Sequence, residues 1–197
     1  MRFPGLAVGF VPWVFYLSTP HPLGGGALVY ASVIATAVAM AMSLWTRKRS
    51  GIKPLEATAA ATFTVLTAAV LVSGEPTRDW LRVYSPAVAL WVLAAVMVLS
   101  VLTVPFTESY ARQSLPQSYW HSPHLRSINR RITLVWSGCT LAAAVSVSAA
   151  ASAHDNGGPA APYLRLSLSW VLPLVLVLAA YRYTEHAANP RAGRRPT

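Results

Sequence analysis

The chain has 197 residues, 54% hydrophobic and 11% charged, with 16 Lys/Arg against six Asp/Glu and a formal net charge of +10. Soluble domains carry roughly 25% charged residues, so the composition excludes an ordinary water-soluble globule, and the single cysteine, Cys139, excludes an internal disulfide framework or a cysteine-built metal site. The basic residues fall between apolar runs instead of forming one stripe, and no nucleic-acid motif accompanies them, so their reading is membrane orientation and not a nucleic-acid partner.

Six apolar segments approach or reach the ~20 residues a helix needs to cross a bilayer core: 3–19, 26–45, 55–73, 86–105, 132–151 and 166–183. They predict an all-α, polytopic transmembrane bundle occupying 1–188 as one domain, followed by a basic 189–197 tail expected to be disordered. The first segment contains Pro4 and Pro12, which predicts a kinked or tilted helix. Arg2 before it also opens a signal-peptide reading, against which Leu17-Ser18-Thr19-Pro20 lacks an Ala-x-Ala cleavage pattern.

Between the spans, Gly24-Gly25-Gly26, the stretch 74–85 and Asp155-Asn156-Gly157-Gly158-Pro159 read as turns on the outer face. The stretch from Pro105 to Arg131 is longer and richer in aromatic residues. It is expected to extend the fourth helix to about Gln113, form a folded segment near the headgroups, and lead into the fifth helix. With both termini cytoplasmic, 13 of the 16 Lys/Arg lie on the cytoplasmic side and only Arg78, Arg82 and Arg165 outside, which predicts an N-in, C-in topology. Trp45, Trp80, Tyr84, Tyr163, Tyr181 and Tyr183 lie near span ends, where amphipathic rings anchor at the interface.

An ionisable group at the edge of a span is costly and so draws attention as a functional group. Glu56 falls in the first turn of the third helix, after Pro54, where the positive helix end favours a carboxylate. Glu108 stands four residues before Arg112, the spacing of a helical ion pair. Both lie at the cytoplasmic end, where two carboxylates sharing a poorly hydrated cavity would separate in acidity and leave one as a proton donor. Asn129, Thr133, Trp136 and Thr140 share one face of the fifth span, fitted either to interhelical hydrogen bonds or to a cavity wall. Phe10, Trp13, Phe15, Tyr16 and Trp91 are packing residues or, alternatively, ring faces for a transient cation.

His21, His121, His124, His154 and His186 all fall at span ends or in loops, which disfavours a haem or a catalytic metal inside the bundle. His121-x-x-His124 is interrupted by Pro123 and has no third ligand. Neither a Gly-rich phosphate loop nor an Asp-rich diphosphate motif is present. No metal and no cofactor are expected.

Gly9-Phe10-Val11-Pro12-Trp13, Lys53-Pro54-Leu55-Glu56 and Pro105-Phe106-Thr107-Glu108-Ser109-Tyr110-Ala111-Arg112 resemble a broad group of small bacterial integral-membrane proteins. So does the run through Tyr119-Trp120-His121-Ser122-Pro123, Ile128-Asn129 and Ile132-Thr133-Leu134-Val135-Trp136. Within that group the chain resembles the membrane terpene cyclases of indole-terpenoid pathways, the drimentine type. The resemblance implies a multi-pass protein of the bacterial cytoplasmic membrane that cyclises a farnesyl chain attached to a tryptophan-containing cyclic dipeptide. An acid would protonate the distal alkene, without a metal. Glu56 is then the first choice as donor and Glu108 the second. Trp13, Tyr110, Arg112, Trp120, Asn129 and Trp136 are candidates for substrate contact. The alternative is a non-enzymatic membrane protein, a transporter subunit or envelope-organising factor, with the acids as structural pairs.

Overall fold

The computed structural model describes residues 4–18, 25–50, 53–112, 120, 122–153 and 161–188. It is an all-α bundle, with no strand among the described residues. In chain order the helices are α1 (Pro4–Ser18), α2 (Gly25–Ser50), α3 (Pro54–Val72), α4 (Glu75–Leu102), α5 (Phe106–Ala111), α6 (Pro123–Ser152), α7 (Ala161–Leu166) and α8 (Leu172–Ala188). A π-helical turn, Ser167–Val171, joins the last two into one rod. Five of these rods are long and apolar enough to cross a membrane, and α1 supplies a shorter apolar helix over Gly9–Ser18. The chain therefore has the make-up of a polytopic membrane protein, and its exposed Leu, Val and Ile side chains suit lipid better than water. α4 packs against α6, α2 against α3, and α6 against α8, while α1 lies across α2, α3, α4 and α5.

Three expectations for the connections are corrected. The stretch 74–85 is not a loop: only Ser73 and Gly74 separate α3 from α4. Pro76 near the helix start needs no intrahelical partner for its missing N–H. Arg78 then donates from Nε to the Val70 carbonyl at 2.9 Å, closing one of the open carbonyls at the end of α3. The i,i+3 pairs Glu75–Arg78 and Asp79–Arg82 line this first part of α4. At 28 residues, α4 is about 42 Å long and projects beyond a ~30 Å hydrocarbon core.

Nor does α4 continue towards Gln113. It stops at Leu102, because Pro105 cannot donate into the helix and forces Val104 out of helical geometry. Thr103 takes up the break at φ −107° and ψ −100°, and the chain restarts as α5 in a new direction. Gly25 and Gly26 open α2 and are not a turn. The expected turn at 155–159, the tail 189–197 and the segment 113–119 lie outside the described residues.

The π-helical turn has a local cause. Its backbone bonds run from residue i+5 to i, as Leu172 N–H to Ser167 carbonyl does. The same register would give the Leu168 carbonyl to residue 173, which is proline and has no N–H. Ser146 of α6 supplies the missing donor, its Oγ lying 2.6 Å from the Leu168 oxygen, which is how a freed backbone group is satisfied in lipid.

Candidate functional site

The polar residues at the end of the bundle that carries Glu56 and Glu108 divide into two neighbourhoods on opposite sides of α5. The first is built around Glu56. Pro54 at the start of α3 fixes the helix entry and puts Glu56 in its first turn, where the side chain turns inward and is fully buried. Lys53, the residue before the helix, turns inward with it and is only 5% exposed. Its Nζ lies 3.8 Å from Glu56 Oε1 and 4.8 Å from the ring centre of Tyr110, so one ammonium meets a carboxylate and an aromatic face. The Thr46 hydroxyl at the end of α2 donates to Glu56 Oε2. Ser43 Oγ donates to the Glu56 carbonyl at 3.1 Å, tying α2 to the start of α3.

Tyr110 closes this group from α5. Its hydroxyl stands so close to Gly9 of α1 that a Cβ placed there would lie 2.5 Å from the phenol oxygen, so any larger residue at position 9 forces the Tyr110 side chain to shift. Burial first, and then the neighbouring Glu56 carboxylate, push the Tyr110 phenol above its ordinary range near 10. Asn129 of α6 is also buried, and its carbonyl accepts from Thr107 Oγ1 at 3.0 Å, while Thr107 and Thr133 share a hydroxyl contact at 2.9 Å. Below this polar layer lies an apolar one. Phe10 stacks on Trp136 at 4.8 Å, and Trp13 and Tyr16 tilt against Phe63 at 5.1 and 4.8 Å. Trp136 Nε1 donates to Thr184 of α8 at 2.9 Å.

Four buried polar atoms in and around this region have no hydrogen-bond partner among the described residues: Trp13 Nε1, Glu56 Oε1, Tyr110 Oη and Asn129 Nδ2. Buried polar groups are satisfied in the great majority of cases. These four exceptions come from α1, α3, α5 and α6.

The second neighbourhood contains Glu108. Residues 108 and 110 are 200° apart on a helix at about 100° per residue, so Glu108 points away from the Tyr110 side. It is 5% exposed and forms the i,i+4 ion pair with Arg112, whose Nε is 3.1 Å from Oε1. The Arg112 guanidinium in turn lies over Trp120, 5.4 Å from its ring centre. Val104, Glu108, Arg112, Trp120, Ser122 and Arg126 enclose a cavity of about 230 Å³.

The expectation of two carboxylates in one shared cavity is therefore corrected. Of the sequence candidates, Trp13, Glu56, Tyr110, Asn129 and Trp136 enter the buried interior, whereas Glu108, Arg112 and Trp120 belong to the separate cavity. Trp91 is exposed on the outside of the bundle and donates to Ser148 at 3.0 Å. His121 and the side chain of His124 lie outside the described residues. Lys53 and Thr46 were missed by sequence reasoning. Lys53 read as a flanking positive charge, although Lys53-Pro54-Leu55-Glu56 carries the i,i+3 spacing that brings the two charges together.

Comparison with known proteins finds no matching protein family, no similar curated protein and no similar solved structure.

Proposed function

We propose that this membrane protein is a proton-initiated terpene cyclase, with Glu56 as the acid and a farnesyl chain attached to a tryptophan-containing cyclic dipeptide as the substrate. The observation that carries the reading is a fully buried glutamate whose Oε1 has no hydrogen-bond partner among the described residues and which borders an aromatic cluster. In the proposed step, Glu56 first takes up a proton in place of its ion pair with Lys53; its O–H bond then breaks and the proton bonds to the terminal alkene carbon through the π pair. A tertiary cation remains. The next alkene attacks it, rings close in sequence, and a final C–H bond gives its electrons to a new double bond as its proton passes to the Glu56 carboxylate left by the first step, which restores the acid. The product has the mass of the substrate.

The surroundings of Glu56 suit that role. As the proton leaves, the developing carboxylate lies beside the Lys53 ammonium at 3.8 Å and accepts from the Thr46 hydroxyl, so stabilisation grows along the transfer. Trp13, Phe63 and Trp136 offer ring faces to a passing cation, worth up to about 2 kcal/mol per desolvated contact, and they add no nucleophile. Burial keeps out the water that would quench the cation. An apolar chain enters sideways from the bilayer, with its polar head at the cytoplasmic rim of an N-in, C-in bundle in a bacterial cytoplasmic membrane.

Glu108, the second choice as donor in the sequence, faces the separate cavity beyond α5. Its pairing with Arg112 is the observation favouring the other reading, a non-enzymatic membrane protein whose acids are structural. The two readings separate on incubation of membranes containing the protein with a farnesylated cyclic dipeptide. Formation of an isomer of unchanged mass, abolished in Glu56→Gln, supports the cyclase. Unaltered substrate under conditions where an established cyclase turns over refutes it for this substrate class.

A further inference from the structure

We infer that the cavity between α5 and the start of α6 is a binding site for a phosphate-bearing anion at the cytoplasmic rim, independent of the Glu56 chemistry. The cavity encloses about 230 Å³ and is lined by two guanidinium groups, Arg112 and Arg126, and one carboxylate, Glu108. Glu108 is held by Arg112, so one positive charge is left over. No described residue supplies an acid to Arg126, which is exposed on the first turns of α6.

The other walls set the class of ligand. Ser122 offers a hydroxyl immediately before α6, whose first-turn N–H groups and positive end favour an anion. Val104, just beyond the end of the α4 span, is 56% exposed and gives the cavity an apolar side. Trp120 carries the Arg112 guanidinium on its ring and holds it at the rim. A surplus cation, a hydroxyl donor and an apolar flank fit a phosphate ester with a hydrocarbon portion. A neutral cyclic dipeptide leaves the surplus charge unanswered. Basic pockets between membrane helices on the cytoplasmic side hold anionic headgroups by the same combination.

Two sources supply such chemistry, the headgroup of an anionic phospholipid and a soluble phosphate, and one experiment separates them. The full chain is placed in nanodiscs of phosphatidylcholine alone, of phosphatidylcholine with increasing phosphatidylglycerol, and of phosphatidylcholine with inorganic phosphate at ionic strength matched by sodium chloride. The unfolding midpoint is followed by tryptophan fluorescence. The expected result is a midpoint that rises with phosphatidylglycerol. The half-effective content should be raised about fivefold in Arg126→Gln, the effect of one basic group at an anionic surface, and unchanged in Arg131→Gln, an exposed arginine of α6 outside the cavity. The same pattern with inorganic phosphate alone keeps the site and makes its ligand soluble. No rise with either, or equal losses in Arg126→Gln and Arg131→Gln, overturns the inference, because general surface charge then accounts for the effect.

Discussion

Replacing Lys53 with methionine keeps most of the side-chain stem and deletes the ammonium from a pair in which neither partner is appreciably exposed: 7% for the lysine side chain and 0% for the glutamate. At 3.8 Å and an effective dielectric of ~20, the attraction is about 4 kcal/mol. Removing one partner of a buried pair typically costs about 3–5 kcal/mol, since the remaining charge has lost its counter-ion and cannot recover water. The Thr46 hydroxyl still serves Oε2, and the carboxyl can take up a proton, so Lys53→Met is expected to cost about 3 kcal/mol. Glu56→Gln strands the ammonium instead. The double variant strands neither and should recover most of the loss, leaving a coupling energy of about 2–3 kcal/mol in the cycle. The assay is reversible unfolding in mixed micelles, titrating a denaturing detergent against a mild one with tryptophan fluorescence. Additive single effects, with coupling below about 0.5 kcal/mol, would show that water reaches the pair and that the dry environment argued for Glu56 does not exist.

Glu56→Gln should lower cyclisation by about 10²–10⁴-fold, the usual worth of a general acid, while membrane insertion is retained; isomer yield per unit of inserted protein measures it, and full turnover excludes Glu56. Gly9→Ala should destabilise the bundle by about 1–3 kcal/mol through overpacking against the Tyr110 hydroxyl, and Tyr110→Phe should restore most of that loss, whereas a loss unaffected by Tyr110→Phe would place the clash elsewhere. Ser146→Ala leaves the Leu168 carbonyl without its donor in lipid and should cost about 1–3 kcal/mol; an unchanged unfolding midpoint would mean that another donor replaces it. Tyr110 holds its proton more tightly folded than unfolded, so its contribution is fully present below pH ~10 and is lost as pH rises beyond that, while the unfolded phenol ionises. The difference in tyrosinate absorbance between the wild type and Tyr110→Phe should accordingly show no step near pH 10 in the folded protein.

Length and hydropathy alone determine that this chain is a set of membrane-crossing helices, because a backbone in lipid must pair its own polar groups and a continuous apolar run leaves it only the helix. The same arithmetic put each apolar rod near its observed position, and Pro54 put Glu56 in the first turn of α3. Helix periodicity likewise put Asn129, Thr133, Trp136 and Thr140 on one face, and all four are buried. Rod ends were less legible. Polar residues 75–85 look like a loop by composition but stay helical through pairing at i,i+3 and through Arg78 reaching back to α3. Pro105 looked compatible with a continuing helix until its effect on Val104 and Thr103 redirected the chain.

What only tertiary packing decided is the partition of the two glutamates. Sequence places Glu56 and Glu108 at the same end of the bundle, but whether they share a chamber depends on the direction α5 takes after its break and on which of its faces meets α1. Gly9 admits Tyr110, Tyr110 meets Lys53, and Lys53 meets Glu56, so that face of α5 is committed and Glu108 is turned to Arg112 on the other. These contacts join residues far apart in the chain, through side-chain volumes and single atomic distances. One-dimensional periodicity carries the face of each helix, but not the neighbour that face will meet.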